Sequence, residues 1–146
     1  MKRTGSALYS RDANVVISLA PQQMFLDPSL TFRLPLGPYE LSPAAQVPVD
    51  IRLARGAGDE DNINRIYKSH GMVPVYPGFL ADHADDNYLI LLVAVDRATG
   101  KIVGTVTGVD HRRAIEDPDN GSSLWALAVD AQCPVPGVGM CLVHAL

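Results

Sequence analysis

Near the end of the chain, Gly137-Val138-Gly139 stands between an apolar stretch, Leu124-Trp125-Ala126-Leu127-Ala128-Val129, and a helical pattern with Met140, Leu142, Val143 and Leu146 apolar. A helix that opens on glycines offers unpaired backbone N–H groups and the positive end of its dipole to an anion, and the missing side chains allow close approach. The chemistry this suits is the holding of a diphosphate, with Gly137, Val138, Gly139 and Met140 supplying the donors. A lone G-x-G is often only a turn, so the weight lies on its place between a strand and a helix. A Rossmann-type dinucleotide loop is excluded because Leu142 occupies the third glycine position. A Walker A loop at Gly100-Lys101 is excluded because Val95 stands where the first glycine is required.

Three carboxylates lie where a general base acting beside that apolar strand would have to be. Asp110 and Glu116 belong to the polar stretch before it, and Asp130 follows it directly. Each also suits a turn or a cap. His70, His83 and His111, with Asp82, Asp85, Asp86 and Asp110, match no metal-ligand spacing, read as a solvated polar face, and imply no metal. Cys141 beside Leu142 reads as packing. Trp125 reads as core, with Leu127 and Val129 on its face by the period of two.

The elements that must position these residues begin at Val49. Residues 1–48 hold six of the chain's 11 prolines and show no sustained period, so they read as a poorly ordered leader. Their apolar residues (Phe25, Leu26, Phe32, Leu34, Leu36, Leu41) would suit docking on another surface. From residue 49, Val49, Ile51 and Leu53 alternate with polar or small residues as in a half-buried strand. Asp59 then reads as a helix N-cap, with Ile63, Ile66 and Tyr67 on one face and Gly71 as the stop. Residues 81–86 fit either a short helix or a loop. The runs 88–95 and 102–109 read as an antiparallel hairpin, 110–122 as a polar loop, and 123–129 as a fourth strand.

Composition bounds the rest. A 146-residue chain with 47% hydrophobic residues can build one core of ordinary size. The net charge of −4 supplies no positive field for nucleic acid or anionic lipid. The apolar run at 15–20 ends at Pro21 and is too short for a signal peptide or a membrane span. The two cysteines, Cys133 and Cys141, lack both C-x-x-C spacing and the density of a disulfide scaffold. A cytoplasmic protein with reduced thiols is the expectation.

The order strand, helix, hairpin, strand, glycine loop, helix resembles the front part of the GNAT family of N-acetyltransferases. The specific resemblance lies at 122–146, where Leu124 to Asp130 and Gly137-Val138-Gly139 before Leu142-Val143-x-x-Leu146 are similar to the family's fourth strand and its Q/R-x-x-G-x-G/A loop. Arg52 to Ala57 and the helix after them resemble, more loosely, the opening I-R-x-A strand and first helix. The resemblance implies a mixed α/β fold, a largely antiparallel sheet flanked by helices. It also implies acetyl-CoA as cosubstrate, its diphosphate at Gly137–Met140 and its pantetheine arm paired with the backbone of Leu127, Ala128 and Val129. The activity implied is acetyl transfer to a primary amine by direct attack on the thioester, with a fourth-strand amide stabilising the oxyanion.

The chain departs from the family pattern in two ways. Pro134 takes the place of the Gln or Arg, and Pro136 precedes the first glycine, so two amides that might face phosphate do not exist. The chain also stops inside the third helix, which implies a fragment of a GNAT domain spanning 49–146 that would not turn over alone. A narrower resemblance, in the loop prolines and the acidic hairpin loop, is to the acetyltransferase half of N-acetylglutaminylglutamine synthetases. It implies an amino acid or glutamine-type acceptor and a C-terminal ligase domain. Two non-catalytic alternatives stand beside the enzyme: a CoA-binding half-domain whose sheet a partner chain completes, and an acyl-CoA sensor.

Overall fold

The computed structural model describes residues 10, 12–24, 33–37 and 47–146. They fall into two units, Met1–Tyr39 and Glu40–Leu146. In the first, the apolar run between Asp12 and Pro21 forms a short helix, α1 (Ala13–Leu19), where the proline content argued against regular structure; it buries none of its side chains. Of the residues expected to dock, Phe25, Leu26, Phe32 and Leu41 lie outside the described residues.

The second unit runs β1 (Val49–Leu53), α2 (Gly56–Ser69), α3 (Phe79–Asp82), β2 (Leu89–Asp96), β3 (Ile102–Asp110), α4 (His111–Ile115), β4 (Ser122–Val129) and α5 (Val138–Ala145). The strands lie side by side in sequence order, β1-β2-β3-β4, each pair antiparallel. This is the mixed α/β arrangement expected, an antiparallel sheet flanked by helices.

Alternation along β2 separates two apolar layers. Leu91 and Val93 face the buried stripe of α2, Ile63, Ile66 and Tyr67, together with Ile102 and Ala128. Leu92 and Ala94 face Val138 and Leu142 of α5, together with Val49 and Val106. The two longer helices therefore cover opposite faces of one sheet. Side chains as fully enclosed as Ile63, Ile66 and Leu142 each contribute about 1.5–3 kcal/mol by leaving water. Gly104 on β3 lets α5 approach closely, since a Cβ there would meet Leu142 Cδ1 at 2.9 Å and Val138 Cγ1 at 3.0 Å.

Several local expectations change. Asp59 is not the N-cap of α2 but lies in its first turn, where its carboxylate accepts from the Arg55 amide at 2.8 Å and holds the Arg52 guanidinium at 2.5 and 3.0 Å. Leu53 ends β1 exposed rather than buried. The stretch 81–86, open between helix and loop, divides: 81–82 end a short helix, 79–82, whose start is held by buried Glu60 of α2 accepting the amides of Gly78 at 3.0 Å and Leu80 at 2.8 Å, and 83–86 are non-helical. The polar segment after β3 is not all loop. Asp110 caps α4 by accepting the Arg113 amide at 3.1 Å, a side-chain competition for backbone donors that starts a helix within polar sequence. No helix among the described residues is long and apolar enough to cross a membrane.

Candidate active site

Helix α5 opens on Gly137, whose φ of 88° is the left-handed conformation that glycine adopts without strain. The first amide used within the helix is that of Cys141, which donates to the Gly137 carbonyl at 3.0 Å. The amides of Gly137, Val138, Gly139 and Met140 meet no backbone acceptor among the described residues, as the first turn of a helix requires. The Val138 and Leu142 side chains are buried in the sheet layer and fix the helix, while Gly137 and Met140 are exposed. Gly139 runs close beside β4, since a Cβ there would lie 3.6 Å from Val129 Cγ2.

The loop that delivers this helix end is anchored by Asp130. Its amide donates to the Val103 carbonyl at 2.8 Å, its carbonyl accepts the Cys133 amide at 2.9 Å, and its Oδ1 accepts the Gln132 amide at 2.9 Å. Its Oδ2 pairs with Arg65 of α2, whose second nitrogen donates to the Ile102 carbonyl at 2.8 Å. The Arg65 hydrogen bond, helped by the Gln132 amide, holds the carboxyl below its ordinary range, against a smaller opposing effect of burial. A carboxylate stabilised in this way is a weak base, and its geometry is that of an anchor.

β4 is an outer strand of the sheet and is irregular. Trp125 pairs with Thr107 and Ala128 with Thr105, so β4 carries one residue more than β3 over this span. This bulge centres on Ala126, with φ of 50°, and the buried Tyr67 reaches the Ala126 carbonyl with its hydroxyl at 3.5 Å. The extra residue breaks the period of two. Trp125 is accordingly not core: it is 51% exposed, with Leu124 at 45% and Leu127 at 38%. Beyond the bulge, the Asp130 amide is turned to β3, so alternation turns the polar groups of Val129 to the open edge. There the Val129 carbonyl accepts from His70 Nε2 at 2.6 Å.

No protein-family model matches the chain, and no curated protein matches it in sequence. Among solved structures it is similar to a GNAT family acetyltransferase of Staphylococcus aureus subsp. aureus USA300_TCH1516. The TM-score is 0.47 and the identity 16%, over 66% of this chain and 73% of that one.

Within this chain α5 packs on β4 and Gly139 lies beside Val129, while Ala128 turns its side chain to the α2 layer and Leu127 is exposed. The candidate bases are dispersed. Asp110 is engaged as the α4 cap and with Arg113 Nε at 3.4 Å, and Glu116 is exposed at the C-cap of α4 with φ of 55°. Cys141 packs partly buried against the α5 layer. Among the described residues no three His, Cys, Asp or Glu side chains are grouped to hold a metal. His83 instead sits 2.5 Å from Asp86, and His111 turns Nε2 to Ser123 Oγ at 2.8 Å. Sequence reasoning missed Arg65, Tyr67 and His70 as contacts of β4 and its exit loop. Their spacing, i, i+2 and i+5 over α2 and its C-cap, puts them on no single helix face and left no signal in the sequence.

Proposed function

We propose that this chain binds acetyl-CoA and presents its thioester to a primary amine. The observation that carries the reading is the set of four amides at residues 137–140, set beside the open edge of β4. A diphosphate is held by such a helix end through its N–H groups and dipole, and an amide-bearing arm can pair with an exposed strand edge. Pro134 and Pro136 remove two donors, but the loop they stiffen is also tied down by Asp130 and Arg65. The chemistry expected there is attack of the amine nitrogen on the thioester carbon, with the C–S bond breaking and the proton lost by the amine passing to the leaving sulfur. The Ala126–Leu127 bulge offers the backbone irregularity from which an amide can be aimed at the developing oxyanion. The narrower acceptor, an amino acid or glutamine-type dipeptide, extends this reading on the sequence resemblance alone.

The test is amide NMR of the chain with CoA. Resonances of residues 127–129 and 137–140 should shift together, and Gly139→Val, which fills the approach beside Val129, should weaken CoA by about tenfold, the loss of one good contact to a charged group. CoA that perturbs neither segment would overturn the proposal. A second reading, a module whose sheet a partner completes, is favoured by the exposed apolar row Leu124, Trp125 and Leu127 on an outer strand. It requires association in solution.

A further inference from the structure

We propose that Trp125, Ser123 and His111 form the subsite that receives the acceptor amine and takes its proton, an inference that rests on the acetyl-transfer reading above. Ser123 Oγ is the hub. Trp125 Nε1–H, which can only donate, points to it at 2.7 Å, and His111 Nε2 lies 2.8 Å away. One lone pair of the hydroxyl is therefore filled by the indole. In the tautomer the relay requires, His111 Nε2 accepts the hydroxyl proton and Nδ1 carries the ring proton. Nδ1 faces Asp117 Oδ2 at 3.9 Å, close enough to neutralise an imidazolium once it forms. The second lone pair of Ser123 Oγ is left to accept an N–H from a cation.

The placement fits an acceptor. Ser123 and Trp125 pair with Val109 and Thr107 and share one face of β4. An arm lying along residues 129 to 127 extends its thiol end toward Trp125, only two residues, or about 7 Å of strand, from Ser123. The half-exposed indole offers its ring face to an ammonium group or to the apolar arm behind it. Asp130 is held by Arg65 and Asp110 caps α4, whereas Asp117 faces His111 while its oxygens also accept the Asp119 amide at 3.1 Å and the Gly121 amide at 3.0 Å. The ammonium passes one proton to Ser123 Oγ as the hydroxyl passes its own to His111 Nε2. The products are a neutral amine, an intact serine and an imidazolium opposite Asp117. The substrate class is a small primary amine with an apolar arm.

Trp125 is the chain's single tryptophan, so its indole N–H gives one signal in a ¹⁵N spectrum. The full chain is titrated with n-butylamine and with 1-butanol, each with and without acetyl-CoA. The indole signal should shift saturably with the amine and not with the alcohol. Ser123→Ala should abolish the response, and His111→Gln should weaken it by up to about tenfold, the loss of the hydrogen bond that orients the serine hydroxyl. Equal responses to amine and alcohol, or a Ser123→Ala chain that titrates as before, would overturn the subsite. Should His111→Gln fail to fold, the serine variant and the alcohol control still decide. If the amine response persists but acetyl-CoA leaves residues 137–140 unperturbed, it is the acetyl-transfer reading that falls, and the relay with it.

Discussion

Asp130 shows how one side chain changes meaning once its neighbours are known. Its position after a strand suits a general base equally well as a turn, and the guanidinium 65 residues earlier decides for the turn. Replacing Arg65 with Gln should cost about 1 kcal/mol in urea unfolding at neutral pH, because nearly half of the arginine side chain is exposed and water screens the pair. The larger effect should fall on CoA affinity, since the freed loop no longer holds the amides of residues 137–140 in place. The pH dependence has a definite sign. Pairing lowers the Asp130 carboxyl in the folded chain, so its stabilisation is whole above the unfolded value, about pH 4, and is lost as pH falls through the lowered folded value. The parent chain should therefore lose more stability than Arg65→Gln between neutral and strongly acidic pH. Parallel acid profiles for the two proteins would remove Asp130 from the anchor.

At the scale of elements, the bulge in β4 deserves the most direct experiment. Ala126 holds φ of 50°, where a Cβ is crowded and glycine is not. Ala126→Gly should stabilise the chain by about 1 kcal/mol or leave it unchanged, the relief of strain being offset by the entropy of glycine in the unfolded chain. Ala126→Val should destabilise it by more than that, and equal urea midpoints for the two variants would count against the left-handed conformation. This bulge also marks where the sequence stopped being legible. Val49–Leu53, the stripe Ile63, Ile66 and Tyr67, the stop at Gly71 and the β2–β3 hairpin were all readable, since each repeats a period or carries turn chemistry. A single alanine at positive φ leaves no mark in the sequence, so Trp125 and Leu127 read as inward-facing. Helix α4 was hidden for a related reason: its cap, Asp110, belongs to residue types that also make loops. The G-x-G at the start of α5 was visible, but the close packing of that helix on the sheet depends on Gly104 of β3, a strand glycine whose purpose only the facing Val138 and Leu142 reveal.

At the scale of the molecule, the antiparallel sheet has an outer strand that is both polar at its backbone edge and apolar at its side chains. Leu124, Trp125 and Leu127 on β4, with Met140 and Val143 on the adjoining helix α5, leave apolar surface in water. Tyr67 and His70 already engage the carbonyls of Ala126 and Val129; the remainder of the edge is a template for another strand, and a net charge of −4 provides only modest repulsion between copies. Self-association that grows with concentration is therefore expected, read by light scattering behind size exclusion. Leu124→Lys with Val143→Lys should abolish it, because each places a charge where a second chain would pair. Both positions are exposed, so the unfolding midpoint should shift by no more than about 0.5 kcal/mol in stability. A parent chain that stays monomeric at every concentration would show that the edge is protected by its bulge and twist. The cofactor reading would then be the better account of why β4 leaves part of its backbone edge open, since a bulged edge can accept a flexible arm while refusing a flat strand.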